Sequence, residues 1–214
     1  MLRTTLAAAA ITLAAGAASA ITVDNFLTTN STGAIIGTGP TSGGFTDSAG
    51  IGTSRTVTAT INSALMGLNA EIKADSNENN TGRFNFEADS LANAEVSLAY
   101  TGLGGVDLAA NVLQLVAVAN DSAFNLNVSI TSGGSTDDAD FSIGAFNTMD
   151  TLSFDLSGIS GATSADEVVF TFLADEHGGD ISFGEISQVP VPAAGLLLVG
   201  ALGGMAALRR RKAA

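Results

Sequence analysis

The feature that most constrains this chain is an alternation of period two that recurs from Arg55 to Ile186. In 124–131, FNLNVSIT, the apolar residues Phe124, Leu126, Val128 and Ile130 share one parity. Asn125, Asn127, Ser129 and Thr131 take the other. Successive side chains of a strand point to opposite sides, so such a segment is a strand with one buried and one wet face. The same period appears in 55–61 (Val57, Ala59, Ile61), 68–73, 83–89 (Phe84, Phe86) and 94–100 (Val96, Leu98, Tyr100). It returns in 139–146 (Phe141, Ile143), 151–156 (Leu152, Phe154, Leu156) and 181–186. Two runs, VLQLVAVA at 112–119 and VVFTFL at 168–173, are apolar at both parities and are expected to be central strands covered on both sides. The segments 38–47 and 132–138 are rich in Gly, Ser, Thr and Asp and read as links between strands. No stretch between Ile21 and Val189 joins helical periodicity to a cap. Ten or more short strands at spacings of about 10–15 residues predict an all-β fold, a single jelly-roll-like β-sandwich over residues 21–188.

The two ends obey different rules. MLRTTLAAAAITLAAGAASA begins with one cation, Arg3, continues as an uncharged Ala/Leu run, and closes on Ala18-Ser19-Ala20. Small residues at Ala18 and Ala20 are what signal peptidase requires, so residues 1–20 are expected to be a secretory signal peptide cut after Ala20. At the other end, residues 189–214 open with Val189-Pro190-Val191-Pro192-Ala193. Its two prolines interrupt any strand or helix. Residues 193–208 carry no charge, and Arg209, Arg210, Arg211 and Lys212 follow. An apolar helix of that length spans roughly 24 Å, enough to cross a thin bilayer with help from its flanks. The four cations are a stop-transfer signal that holds this end on the cytoplasmic side.

This tail resembles the PEP-CTERM class of bacterial sorting signals, and within it the VPLPA-CTERM subtype. The Pro-containing motif, the Gly/Ala/Leu-rich helix at 193–208 and the basic tail at 209–212 carry the likeness; Val191 stands where the subtype has Leu. The resemblance implies that an exosortase, a membrane cysteine protease of transpeptidase type, processes the chain. It also implies export by a Gram-negative bacterium that makes exopolysaccharide. The central segments GTSRTVTATI, AEVSLAYTG, DTLSFDLSGI and VVFTFLAD are similar to β-sandwich ectodomains common among such proteins, and no functional residue is carried over from those.

Charge divides along the same lines. The whole chain has 8 Lys+Arg and 21 Asp+Glu in 214 residues, a net charge of −13. All 21 acids lie between Asp24 and Glu185, whereas only Arg55, Lys73 and Arg83 of the bases do, which leaves the central domain at −18. Such a domain repels phosphate backbones, so nucleic acid is excluded as a partner. The absence of Cys excludes disulfides, thiol nucleophiles and thiolate metal sites.

Few residues suggest chemistry. His177, the only histidine, stands in DEHGGD, a sequence suited to a solvated turn; no G-x-S-x-G elbow or phosphate loop accompanies it. A glycoside hydrolase needs only two suitably spaced carboxyls, but sugar sites usually stack aromatics, and this chain has one Tyr and no Trp. Calcium is the more serious candidate. Asp75, Asn77 and Asn79 fill positions 1, 3 and 5 of an EF-hand-like loop, yet Asn80 stands at position 6 and Phe86 at position 12, where Gly and Glu belong. Looser oxygen sites at Asp137, Asp138 and Asp140, or at 175–180, stay open.

The expected protein is therefore non-enzymatic and exported. It would be tethered to the inner membrane by its C-terminal helix during sorting, then act as a structural or adhesive component of the cell surface or exopolysaccharide matrix. Signal peptidase and exosortase are its expected partners, with exopolysaccharide a further one. The alternative is a carbohydrate-binding module, calcium-dependent or not; a glycoside hydrolase is the remote one.

Overall fold

The computed structural model describes residues 21–189, apart from 28–30, 38, 48–50, 53, 77–81, 110–111, 146–147 and 149. The signal-peptide region 1–20, the candidate ligands Asn77 and Asn79, and Pro190 to Ala214 of the sorting signal lie outside the described residues. The described residues form thirteen strands: β1 (Ile21–Asp24), β2 (Ser31–Gly37), β3 (Thr41–Asp47), β4 (Ser54–Ala64), β5 (Ala70–Ser76), β6 (Phe84–Ala88) and β7 (Ala92–Val106). They continue with β8 (Val112–Asn120), β9 (Phe124–Ser132), β10 (Ser135–Ile143), β11 (Asp150–Phe154), β12 (Ala165–Ala174) and β13 (Ile181–Val189). Among the described residues, no helix is long and apolar enough to cross a membrane.

Every strand pairing is antiparallel, and the strands form two sheets. One sheet runs β11-β8-β13-β6-β5-β2, with β1 added beside β13; the other runs β10-β9-β12-β7-β4-β3. Strands β6–β13 alone make a jelly roll, β6-β13-β8-β11 facing β7-β12-β9-β10. Strands β5 and β2 extend the first sheet, and β4 and β3 extend the second. The sandwich expected from the alternation is thus the fold that forms.

One apolar core fills the space between the sheets. Phe124, Leu126, Val128 and Ile130 of β9 are all buried, as are Val57, Ala59 and Ile61 of β4 and Val96, Leu98 and Tyr100 of β7. In β13 the inward set skips from Phe183 to Ile186, because the register with β8 shifts around Gly184. Phe183 joins the layers: its ring lies 5.0 Å from Phe172 of β12, 5.1 Å from Phe84 of β6 and 5.4 Å from Phe26.

A charged network is sealed into this core. Arg55 and Asp24 are both fully buried and form an ion pair. Arg55 also donates to Ser76 Oγ, and its guanidinium stands 5.0 Å from the centre of the Phe26 ring. The Tyr100 hydroxyl donates to Asp24 Oδ2 at 3.0 Å. Burial, followed by the Asp24 charge, pushes this phenol well above the usual tyrosine range, so it stays a donor. Asp24 Oδ1 accepts the Phe26 N–H at 2.8 Å and holds Phe26 at φ 54°, a conformation bulky residues avoid.

Three expectations need correction. Segment 38–47 was expected as a link, but residues 41–47 form β3, and β1 and β2 add two further strands that no alternation marks. The link expected at 132–138 shrinks to Gly133-Gly134, since β10 starts at Ser135. Both glycines have positive φ, 57° and 81°, which the tight primed turn of a two-residue hairpin requires. Finally, among the described residues β8 and β12 are covered on one face only. A two-layer sandwich has no third layer, and the outward residues Val112, Val116, Val169 and Leu173 are half-buried beside their neighbours on the same face.

Candidate functional site

The outer face of the six-stranded sheet is a continuous array of largely polar side chains whose register the structure defines. It follows from the alternation: with Leu126, Val128 and Ile130 packed inward, Asn125, Asn127, Ser129 and Thr131 must point out. The pairing registers then line up rows across the strands. One row runs Asp140, Asn127, Thr171, Ser97, Thr58, Gly44 from β10 to β3. Beside it run Asp138, Ser129, Val169, Ala99, Thr56 and Thr46. Six strands at about 4.8 Å make each row about 24 Å long. The row must end on glycine at β3, because a Cβ on Gly44 would come within 1.9 Å of the Val57 carbonyl oxygen.

Side chains of this face, in these rows and beside them, brace one another. Ser97 Oγ and Thr171 Oγ1 are 2.9 Å apart, Thr131 and Thr136 hydroxyls 2.9 Å, Ser54 and Thr101 hydroxyls 3.0 Å, and Thr46 and Thr56 hydroxyls 3.2 Å. Asn127 Nδ2 donates to Asp138 Oδ2 at 2.8 Å and Asp140 Oδ1 at 2.9 Å. Asn125 Nδ2 donates to Asp175 Oδ1 at 2.9 Å. A hydroxyl offers one donor and two acceptor sites and a carboxylate about four lone pairs, so each braced group keeps capacity facing outward. Among the described residues, the aromatics Phe45, Tyr100, Phe141, Phe170 and Phe172 near this sheet point the other way, into the core. The described side chains of this face thus offer hydrogen-bonding groups and no aromatic ring.

A second polar region is acidic. Glu71, Lys73, Glu87, Ala88, Asp89 and Asp180 line an open groove of about 340 Å³ beside β5 and β6. Asp180 ties three segments together: its Oδ1 accepts the Ala88 N–H at 2.9 Å, its N–H donates to Asp121 Oδ1 at 2.8 Å, and its carbonyl accepts the Asp121 N–H at 3.3 Å. Partial burial, helped by the Asp121 and Glu87 charges, raises its carboxyl above the usual range, against the Ala88 N–H. A raised carboxyl contributes stability that is full below its unfolded value near 3.9 and is lost as pH rises through the folded value. At neutral pH, Asp180 is therefore a small net cost. Asp180→Asn keeps an acceptor for Ala88 and is expected to raise stability at pH 7 by less than about 1 kcal/mol. Calorimetry across pH should show this gain shrinking toward pH 4.

The sequence candidates fall as follows. His177 is exposed in the β12–β13 turn and makes no hydrogen bond among the described residues. Asp75 is buried, with Oδ2 2.5 Å from Lys73 Nζ, so its charge faces a lysine. Asp137 leaves the outer face and accepts the Ser160 N–H at 2.8 Å, which lowers its carboxyl below the usual range. Asp138 and Asp140 share Asn127 instead. Among the described residues, no three His, Cys, Asp or Glu side chains group so as to hold a metal ion. Sequence reasoning missed Ser97, Thr171, Thr58 and Asn127 as a set. Their signal was present, since polar positions in TVTATI and NLNVSIT are Thr, Ser and Asn rather than Lys or Glu.

No protein-family model and no curated protein matches the sequence. Among solved structures, the chain is similar to a family 11 carbohydrate-binding module from Clostridium thermocellum in complex with a β-1,3-1,4-mixed-linked tetrasaccharide. Identity is 13% and the TM-score 0.45, over 80% of this chain and 96% of that one. It is also similar to a family 29 carbohydrate-binding module, at 11% identity and a TM-score of 0.39 over 75% of this chain and 88% of that one. No residue or role is carried over from either.

Proposed function

We propose that this protein is an exported, non-enzymatic β-sandwich that binds polysaccharide along the outer face of its six-stranded sheet. The observation that carries the reading is the row from Asp140 to Gly44, with Asn127 braced by two carboxylates and Ser97 by Thr171. Side chains already held by one another lose little freedom when a ligand arrives, which lowers the cost of binding. A neutral polysaccharide suits this chemistry. Its hydroxyls donate to the carboxylates and exchange hydrogen bonds with the Ser and Thr hydroxyls, while an acidic one would be repelled by Asp138, Asp140 and the domain charge of −18. With no aromatic platform among the described residues of this face, each contact is weak, so retention in a matrix depends on many contacts along one strand.

Export and sorting complete the proposal. Cleavage after Ala20 would free Ile21, where β1 begins. An exosortase would act on the Val189–Ala193 motif while the helix at 193–208 and the cations at 209–212 hold the chain in the inner membrane. The product would then reside at the cell surface or in the exopolysaccharide matrix. Affinity electrophoresis tests the binding: mobility is expected to fall as neutral polysaccharide is added to a native gel. Mobility unchanged at every concentration, with and without calcium, would remove the reading.

A further inference from the structure

The four outermost strands of the sandwich are protected unequally. Strand β10 carries Asp137, Asp138 and Asp140, and β11 is only 5 residues long with Asp150 at its start. Charges and short lengths are how edge strands avoid pairing with other chains. On the opposite side, residues 25–46 contain no charged residue at all, although the domain carries −18. Strand β2 and all of β3 but its last residue lie in this stretch. Strand β3 ends on Asp47, and its outward residues Ser42, Gly44 and Thr46 belong to the polar face. Strand β2 has 7 residues, no charge and an Ile36 that is 64% exposed; among the described residues it pairs with β5 on one side only.

We infer that the free edge of β2 pairs with β2 of a second copy of this chain, antiparallel about a two-fold axis. Electrostatics selects the partner. Two domains at −18 repel wherever their acidic surfaces meet, so a contact between copies must use an uncharged edge. The strand behind β2 is β5, where Glu71, Lys73 and Asp75 stand opposite Ile36, Ala34 and Thr32. The nearest charges are therefore of both signs, and Lys73 is one of only three bases in the domain. Seven residues give a ladder of about 23 Å, and a two-fold pairing closes without leaving another free β2 edge. The result is one sheet continued across two copies, with both polar faces left open.

Sedimentation velocity of the full chain in detergent, over a range of concentrations, tests this. A monomer–dimer equilibrium is expected that strengthens as salt screens the repulsion. The backbone amides of 31–37 that point away from β5 should gain exchange protection as the dimer fills. Ile36→Lys, at an exposed position, should leave the melting temperature unchanged and keep the chain monomeric throughout. A wild-type chain that stays monomeric would overturn the inference, as would a dimer that Ile36→Lys does not weaken. Protection in a monomer of the amides of 31–37 that point away from β5 would assign the edge to another strand and overturn it equally.

Discussion

Replacing Arg55 with methionine is expected to cost the fold about 3–5 kcal/mol, the largest single loss foreseen for a substitution that preserves volume. The native pair is expensive to bury, and it persists because each group has several partners. Arg55 meets Asp24, Ser76 and the face of Phe26; Asp24 meets Arg55, the Tyr100 hydroxyl and the Phe26 N–H. Methionine fills the space but leaves a carboxylate in the core without its cation. Asparagine at position 24 keeps an acceptor for the Phe26 N–H and turns an amide donor toward the Tyr100 hydroxyl oxygen, without the charge. The double variant Asp24→Asn, Arg55→Met should therefore be more stable than Arg55→Met alone, a coupling that a double-mutant cycle measures. Tyr100 is the only Tyr and the chain has no Trp, so its fluorescence reports this site during urea unfolding. Equal stability of Arg55→Met and wild type would show that the pair carries no such weight.

Phe183→Ala is expected to cost about 3–5 kcal/mol as well, by a different mechanism. Phe183 packs on Phe172 across the sandwich and on Phe84 and Phe26 within its own side. Truncation opens a cavity between two sheets that strand pairing keeps in place, so the surroundings can collapse only in part. Phe183→Leu keeps most of the volume and should cost less than about 1.5 kcal/mol. A loss for alanine no larger than that for leucine would mean that the sheets close over the gap. Neither Arg55 nor Phe183 reaches the outer face, so the folded fraction of both variants should bind polysaccharide as the wild type does.

The two-sheet fold was legible because eight strands carry their burial in their parity. Where parity is silent, the strands were missed. Strand β2 sets Ile35 and Ile36 side by side among glycines, and β3 centres on Gly43-Gly44, so both resemble turns until the sheet supplies their partners. Strands β8 and β12 misled in the opposite sense, because apolar residues on an outer face can be half-covered by their cross-strand neighbours. The buried ion pair left half a trace: Arg55 shares the inward parity of Val57, Ala59 and Ile61, while nothing in the sequence distinguishes Asp24 from the other acids. The polar face was hidden for a simpler reason. A Thr or Ser on the wet side of one strand is unremarkable, and the rows appear only once register joins strands as distant in sequence as β4 and β12.

The central claim is that those rows bind polysaccharide, and one comparison of mobilities tests it. The variant Ser97→Ala, Asn127→Ala, Thr171→Ala removes the middle of one row; Gln114→Ala, Thr151→Ala changes polar groups on the other sheet. Three lost hydrogen bonds at about 0.5–1.5 kcal/mol each should weaken retardation in neutral polysaccharide by tenfold or more. The control should migrate as the wild type does. Full retardation of the triple variant, or its loss in the control, would contradict the account.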